Sequence, residues 1–467
     1  MSSAPMHGRD MTQGPMTRHL LAVAWPVSVS FLVQMLYNLV DAFWLGKLGR
    51  AALVAPTISM NVVFIGIALA MGLGQAGTTL VSQYRGAGRP EAMGRAAGQS
   101  LVLQLVLGSL LAGVGLLVAP QLLRLLDTPA DAYAETLTYL RWVLAGVPFM
   151  FVFHVYQGIY SGLGDTVGPM RINVATGILN VVLDPLLIFG WGPVPALGVA
   201  GAALATVAAR GVAAALAVRA LTGAGGFRLR GADLRPDAEM MRRLLRIGLP
   251  LSLGQTVTSL GFTLLIGIVN QFGSAATAAF GVGHRVVLTI SVPAWAMAQA
   301  NATAVGQNLG ARLPERAALS VRTSAVLISV VLAPLCGLVM VFAAPLTRVF
   351  VDDPQVIVYG RELLRITAPS VFLFSLILVM FGAFQGAGKT VPVMVVNVAR
   401  LWLVRIPFSW LLAVKLALGP SGLWWAMNLS NVLAAVAALV WFLRGDWKTA
   451  VIREEASEFA GESGESL

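Results

Sequence analysis

Residues 31–45 read FLVQMLYNLVDAFWL, an apolar stretch that contains one carboxylate, Asp41, near its far end. The stretch predicts a helix that enters a lipid bilayer. A charge at that depth costs at least about 2.5–3.5 kcal/mol, so we expect Asp41 to face a cavity, a partner or an ion. Tyr37 lies four residues before Asp41, on the same helical face. The pattern therefore indicates a membrane helix with a functional acid.

The composition is that of a polytopic membrane protein. Of the 467 residues, 57% are hydrophobic and only 11% are charged, and the mean hydropathy is +0.79. Soluble globular domains contain about 25% charged residues. The net charge of +11 comes from short loops without aromatic-interleaved basic patches, so we expect no nucleic-acid partner. The single cysteine, Cys336, excludes a disulfide framework.

Twelve apolar segments are each long enough to cross a bilayer as a helix. They are residues 20–45, 52–80, 96–119, 136–160, 169–190 and 196–219 in the first half, and 244–270, 275–304, 320–343, 358–386, 391–414 and 421–443 in the second. Alternation of the outer-membrane barrel type is absent. The predicted fold is an all-α polytopic membrane protein with twelve transmembrane helices in two six-helix lobes.

Polar stretches between these segments predict the domain organisation. The predicted parts are a cytoplasmic N-terminal tail at 1–17, an N-terminal lobe at 18–221, a cytoplasmic linker at 222–241, a C-terminal lobe at 242–445 and an acidic disordered tail at 446–467. Basic residues concentrate in alternate loops, which predicts that both termini are cytoplasmic. We expect a multi-pass protein of the inner (plasma) membrane. Two lobes in one chain make a monomer sufficient.

The two halves of the chain are copies of one unit. Residues 81–91, VSQYRGAGRPE, and residues 305–315, VGQNLGARLPE, are related by a shift of 224 positions. The same shift takes Pro26 to Pro250 and Asn173 to Asn397, and no gap is needed from residue 26 to residue 173. Because each half has an even number of spans, the expected relation is a pseudo-two-fold axis along the membrane normal.

Only two acids lie well inside apolar segments, Asp41 in the first and Asp184 in the fifth. Both segments run outward, and both acids lie a few residues before the outer end, so we expect the two carboxylates at one depth. Asn180 lies one turn below Asp184, and Thr206 in the sixth segment reaches a comparable depth. The predicted ion-coupling residues are Tyr37, Asp41, Asn180, Asp184 and Thr206.

Two neighbouring carboxylates in a medium of low dielectric favour a proton or a hard cation between them. The expected coupling ion is H⁺ or Na⁺, with Asp41, Asp184 and Asn180 as ligands if it is Na⁺, and no cofactor is expected. The shift of 224 places Leu265 and Phe408 where the first half has the two acids. The ion chemistry is therefore expected in the N-terminal lobe.

An alternative is that each acid pairs with a membrane arginine and only braces the helix bundle. The candidate partners are Arg210, Arg285, Arg400 and Arg405.

Pro26 lies about a turn and a half into the first helix and removes a backbone hydrogen bond. It predicts either a hinge that moves Asp41 relative to Asp184 or a static kink. A possible substrate cavity would be lined by Gln34, Met60, Phe153, Gln157, His284 and Arg285. His284 and Arg285 have the alternative role of contacting lipid headgroups.

Four features carry a family resemblance: residues 26–41, the two copies of the repeated motif, the turn at 162–166 and residues 180–185. In these the chain resembles the multidrug and toxic-compound extrusion (MATE) family, and specifically its DNA-damage-inducible-type branch. The resemblance covers roughly residues 15–445. It implies a cation site in the N-terminal lobe at the five predicted ion-coupling residues.

The resemblance also implies export of amphipathic, often cationic compounds, driven by H⁺ or Na⁺ entering from outside. A second bacterial branch relies on acids in the seventh and tenth helices. The seventh segment here has none, and Glu362 at the mouth of the tenth is the nearest match. This departure favours the first branch.

The predicted function is a secondary active antiporter that works by alternating access, with small molecules and membrane lipids as its partners. Four histidines and isolated aspartates do not supply an enzyme's metal site, so no enzyme activity is expected. The alternative function is a flippase for a lipid-linked or polyanionic precursor. A flippase would require Arg210, Arg285, Arg400 and Arg405 to converge in one cationic cavity.

Overall fold

The structure, a computed structural model, describes residues 8–193, 195–223 and 227–452. Residues 1–7 and 453–467 of the predicted tails and residues 224–226 of the predicted linker lie outside the described residues. Within the described ranges the secondary structure is almost entirely helical, and no β-strand is present. The all-α prediction is therefore confirmed.

The first seven helices occupy the half of the chain before the linker. They are α1 (Met16–Leu48), α2 (Arg50–Gly86), α3 (Pro90–Leu125), α4 (Tyr133–Ala145), α5 (Val147–Gly162), α6 (Val167–Phe189) and α7 (Gly198–Thr222). The predicted fourth span is bent by 41° between α4 and α5. The bend lies beside Pro148, which cannot donate the backbone hydrogen bond that would continue α4.

The remaining helices follow a single 3₁₀ turn at Gly231–Leu234. They are α8 (Ala238–Asn270), α9 (Ser274–Gly310), α10 (Pro314–Val341), α11 (Ala343–Arg348), α12 (Pro354–Ala387), α13 (Val391–Val398), α14 (Ile406–Trp410) and α15 (Pro420–Leu443). The span Val391–Lys415 includes α13 and α14 together with two π-helical segments, Ala399–Arg405 and Leu411–Lys415.

Ten helices of the described chain are long and apolar enough to cross a membrane, and the bent pair α4 and α5 makes an eleventh. The helix α2, with 37 residues, is longer than a bilayer crossing requires. Together these elements fit the predicted layout of twelve transmembrane helices in two lobes.

The chain folds as two compact units. The first contains the described residues up to Asp10 and residues Pro26–Ser252, and the second contains Met11–Trp25 and the described residues from Leu253 onward. The divisions within α1 and α8 therefore fall at or near Pro26 and Pro250, the two prolines related by the repeat. The domain boundaries predicted from composition stay predictions.

The repeated motif forms the same turn in both halves. Gly88 and Arg312, which correspond under the shift of 224, both have a φ of 66°. Pro90 and Pro314 then begin α3 and α10 at the position where a missing backbone N–H costs nothing. The duplicated sequence thus encodes one helix–turn–helix geometry, although the second copy places an arginine where glycine is the residue with least strain.

Close backbone contacts through glycine hold each unit together. In the first unit the linker packs on α3, where Gln99 donates hydrogen bonds of 2.9 and 2.7 Å to the carbonyls of Asp233 and Arg235. A Cβ on Gly98 would lie 2.2 Å from the Asp233 carbonyl oxygen. In the second unit, a Cβ on Gly382 of α12 would lie 2.4 Å from the Ala298 carbonyl oxygen of α9. Small residues let helices approach this closely in membranes.

Candidate ion-coupling site

Asp184 is fully buried on α6 in the first unit. Asn180, one turn earlier on the same helix, donates a hydrogen bond of 3.3 Å from Nδ2 to Asp184 Oδ1. The second carboxylate oxygen, Asp184 Oδ2, is buried without a hydrogen-bond partner, and so is Asn180 Oδ1. An unpartnered buried polar atom costs about 1–3 kcal/mol, and more if it is charged. This pair therefore presents two buried acceptors that are available to a ligand.

Asp41 on α1 adds a third acceptor. Its side chain is partly buried, and its Oδ1 atom is buried without a partner. It interacts electrostatically with Asp184 on α6. Two carboxylates and one amide oxygen form a set of hard oxygen donors. Such a set fits a proton or a hard cation such as Na⁺.

Arg210 on α7 places a positive charge near Asp41. It interacts electrostatically with Asp41, and its Nη1 atom is buried without a partner. Within the described part of the chain, neither Asp41 nor Asp184 has a basic nitrogen within the 4.0 Å of an ion pair. The alternative in which each acid is held by a direct arginine salt bridge does not match this geometry.

The other predicted ion-coupling residues occupy different positions. Tyr37 is partly buried, and its hydroxyl oxygen accepts a hydrogen bond from Gln34, which is exposed. Thr206 is partly buried on α7, one turn before Arg210. Its hydroxyl makes no hydrogen bond to either acid among the described residues. Among the predicted residues, the direct hydrogen bond is thus the one between Asn180 and Asp184.

Two residues that interact electrostatically with members of this site were not among the predicted site residues. Tyr139 on α4 is 7% exposed and interacts electrostatically with Asp41, Asp184 and Arg210. His154 on α5 interacts electrostatically with Arg210. Tyr139 lies three residues inside the outer end of the predicted fourth span, so the depth argument that paired the two acids could have found it. His154 carries no comparable signal in the sequence.

The predicted cavity residues belong to different units. Gln34, Met60, Phe153 and Gln157 lie in the first unit, and His284 and Arg285 lie in the second. Met60 is 49% exposed.

Contacts of the other cavity candidates are local. Gln157 forms a side-chain hydrogen bond with His154, and Phe153 packs against Tyr156 with ring centroids 6.1 Å apart. The His284 ring packs against the rings of Phe262 and Phe280, at centroid distances of 5.6 and 6.1 Å. Their role as a substrate cavity stays a prediction.

The comparison with protein families accounts for both halves of the chain. The family model described as MatE matches residues 26–186 and again residues 250–411. The chain belongs to the MatE family. The two matched ranges begin 224 residues apart, which is the shift found between the two repeated motifs. Each half of the chain is therefore one copy of the MatE unit.

Relatives of the chain include multidrug resistance proteins and a FAD transporter of Shewanella oneidensis, the latter 28% identical over 92% of this chain and 95% of that protein. It is 27% identical to the probable multidrug resistance protein YpnP of Bacillus subtilis (strain 168), over 95% of this chain and 98% of that protein. It is 26% identical to the probable multidrug resistance protein NorM of Thermotoga maritima, over 94% of this chain and 95% of that protein.

Solved MATE structures share the fold. MATE structures in the straight and the bent conformation each match with a TM-score of 0.88 at 26% identity. Each covers 94% of this chain, and the match spans 98% and 97% of the respective solved chains. The chain is therefore a multi-pass membrane protein of a multidrug efflux transporter family.

Proposed function

We propose that this chain is a secondary active antiporter that exports amphipathic, often cationic small molecules in exchange for H⁺ or Na⁺. The observation that supports this most directly is the set of buried oxygens on Asp41, Asn180 and Asp184 that have no hydrogen-bond partner. Na⁺ at this site contacts all three oxygens, a proton binds one of the two carboxylates, and either ion lowers the combined negative charge of the pair by one. The ion then binds most tightly in the conformation that brings the oxygens together.

Coupling follows from that difference in affinity between conformations. An ion shifts a conformational equilibrium only by the difference between its affinities for the two states. Outward opening exposes Asp41 and Asp184 to the external ion, and ion binding favours the conformation that releases the substrate. Return to the inward-open state releases the ion and allows the next substrate to bind.

Pro26 is proposed as the hinge of this cycle. It lacks the N–H that would bond to the carbonyl one turn earlier, and Ser30 Oγ donates a 2.9 Å hydrogen bond to the Pro26 carbonyl. Asn173 on α6 donates from Nδ2 to the Ser30 carbonyl at 3.2 Å. The turn of α1 that follows Pro26 is therefore connected to the helix that carries Asp184. Existing MATE structures in straight and bent conformations are consistent with a helix that changes shape.

The proposal also covers the membrane in which the protein lies, the orientation of its termini and its branch of the MATE family. The basic loops favour cytoplasmic termini in an inner (plasma) membrane. The two acids in the first unit favour the DNA-damage-inducible-type branch, and two lobes in one chain favour a functional monomer surrounded by lipid.

The flippase alternative is not favoured. It requires Arg210, Arg285, Arg400 and Arg405 to face one cavity, but Arg285 is exposed and Arg210 lies beside Asp41 in the first unit. The relatives YpnP and NorM are multidrug resistance proteins.

The test is ethidium efflux from proteoliposomes under an imposed pH gradient and, separately, an imposed Na⁺ gradient. The wild type is expected to export under one of the two gradients, and that gradient identifies the ion. Asp41→Asn is expected to abolish gradient-driven export while the purified protein keeps its thermal stability. The matched control is Glu362→Gln, the same change of carboxylate to amide at an acid of the second unit, which is expected to export normally.

Normal export by Asp41→Asn would refute the coupling role of this acid. Failure of the wild type to move ethidium or norfloxacin under any gradient would refute multidrug antiport.

A further inference from the structure

Two buried arginines lie side by side in the second unit. Arg400 and Arg405 are 8% and 3% exposed and lie within the apolar span Val391–Lys415. Arg400 Nη1 and Arg405 Nη2 donate hydrogen bonds of 2.9 and 2.8 Å to one atom, Asn431 Oδ1. Sharing this acceptor makes the two guanidinium groups direct neighbours inside a membrane-spanning helix bundle.

The local helix geometry is what brings the two side chains together. In an α-helix of 3.6 residues per turn, residues five apart point about 140° away from each other. The segment Ala399–Arg405 is π-helical, and a π-helix bonds residue i to residue i+5. Residues 400 and 405 therefore share one helix face. Such π-helical segments occur frequently at functional sites.

The charge of this pair is not balanced by the protein. No carboxylate in the described part of the chain lies within ion-pair distance of either arginine. The partners of the two guanidinium groups are neutral: Asn431 for both, Asn397 Oδ1 at 3.5 Å from Arg400 Nη2, Ser430 Oγ at 2.9 Å from Arg405 Nε, and the Phe374 ring, whose centroid lies 4.5 Å from the Arg400 Cζ. Arg400 Nε is buried and has no partner. Buried charges in proteins are ordinarily paired, because an unpaired charge in a medium of low dielectric is very costly.

Further unpartnered donors lie on the same helices. Ser409 Oγ is buried without a hydrogen-bond partner one turn beyond Arg405. Trp424 Nε1 is likewise buried without a partner, two turns before Asn431. The Trp424 ring stacks on Phe280, whose ring stacks on His284, and His284 interacts electrostatically with Arg405. This region therefore has more hydrogen-bond donors than acceptors and more positive than negative charge.

We propose that the cluster of Arg400, Arg405 and Asn431 is a binding site for one anionic group with carboxylate or phosphate oxygens. Guanidinium groups present planar pairs of N–H donors that match such oxygens. An anion between the two arginines neutralises their mutual repulsion and supplies an acceptor for Arg400 Nε. The corresponding positions in the first half of the repeat are Thr176 and Val181, which carry no charge. The site is therefore particular to the second unit and independent of the ion site at Asp41 and Asp184.

Binding is tested by isothermal titration calorimetry of the purified full chain in detergent with potassium phosphate, against potassium chloride of equal ionic strength. The wild type is expected to give a saturable heat with phosphate. The double variant Arg400→Gln, Arg405→Gln is expected to bind at least about tenfold more weakly. The matched control is Arg322→Gln, which removes an exposed arginine of the second unit and is expected to bind like the wild type.

A second variant tests the site without removing its charges. Asn431→Asp places a carboxylate at the atom that both guanidinium groups already contact, so it supplies the missing anion from within the chain. It is expected to raise the Tm of the protein and to abolish the heat of phosphate binding. Phosphate binding by Asn431→Asp equal to that of the wild type would overturn the proposal, whatever the folding behaviour of the double arginine variant.

The source of the anionic group is distinguished by repeating the titration in nanodiscs. Weaker phosphate binding in discs that contain phosphatidylglycerol than in discs of phosphatidylcholine alone assigns the site to a lipid headgroup. Equal binding in both assigns it to a soluble anion. Absence of a saturable phosphate heat in detergent and in both kinds of disc would show that the two arginines are structural.

Discussion

Asn180 donates its amide hydrogen to Asp184 Oδ1 from one turn earlier on α6, and this single hydrogen bond of 3.3 Å leaves one oxygen of each residue buried without a partner. The spacing of four residues makes the contact an intrinsic property of the helix. Two side-chain oxygens, Asn180 Oδ1 and Asp184 Oδ2, therefore remain as buried acceptors on one helix. Asp41 completes the set from α1.

The two acids are expected to act as one unit. If Asp41 and Asp184 bind a single coupling ion, then Asp184→Asn abolishes gradient-driven export, and the double variant Asp41→Asn, Asp184→Asn is no worse than either single variant. The measurement is the initial rate of ethidium efflux from proteoliposomes for the four proteins. If the efflux rate of the double variant is reduced by the product of the two single-variant reductions, the two acids do not share an ion.

Asn180→Ala tests the amide oxygen as a ligand. The variant keeps both carboxylates but loses the hydrogen bond to Asp184 and one acceptor oxygen. We expect the ion concentration for half-maximal transport to rise about tenfold, which corresponds to about 1.4 kcal/mol. Asn38→Ala, at an exposed asparagine of α1, is the control and is expected to leave this concentration unchanged. An unchanged ion dependence in Asn180→Ala would remove Asn180 from the site.

Gly98→Ala tests the packing of the linker on α3. The added Cβ meets the Asp233 carbonyl oxygen at 2.2 Å, so the linker must move, and we expect destabilisation by about 1–3 kcal/mol. Gly113 lies on the same helix with no atom within 4 Å of its Cβ position. Gly113→Ala is therefore expected to be neutral or stabilising by up to about 1 kcal/mol. The Tm values of the two purified variants give the comparison, and equal values would contradict the close contact.

Gly382→Ala tests the approach of α9 and α12. Its Cβ would lie 2.4 Å from the Ala298 carbonyl, a backbone atom that cannot move by a simple side-chain rotation. We expect a lower Tm and a smaller yield of folded protein, because small residues permit this close helix contact. Gly281→Ala on α9, where nothing lies within 4 Å of the Cβ position, is the control. Wild-type stability in Gly382→Ala would show that the two helices separate easily.

Much of the fold could be predicted because its signals are local. Hydropathy identifies the spans one at a time, and the repeat at a shift of 224 relates the halves without any structural information. The intramembrane acids Asp41 and Asp184 stand out because charge in an apolar segment is rare. The bend between α4 and α5 was missed because the hydropathy of the segment continues across Pro148.

The contacts of the site were less predictable. Counting residues from the outer end of each span placed Asp41 and Asp184 at one depth, and the two acids interact electrostatically. Depth does not specify the rotation of a helix about its axis. Thr206 lies at a similar depth yet makes no hydrogen bond to the acids among the described residues, whereas Tyr139 interacts with both.

The helical class, the duplication and the presence of two acids inside apolar segments follow from residue type and order along the chain alone. Which polar groups meet depends on how the helices pack. Arg400 and Arg405 would point apart on a regular α-helix, and only the π-helical segment Ala399–Arg405 directs both to Asn431. The direction in which a side chain points depends on the rotation and the winding of its helix, and both are set by packing against the other helices.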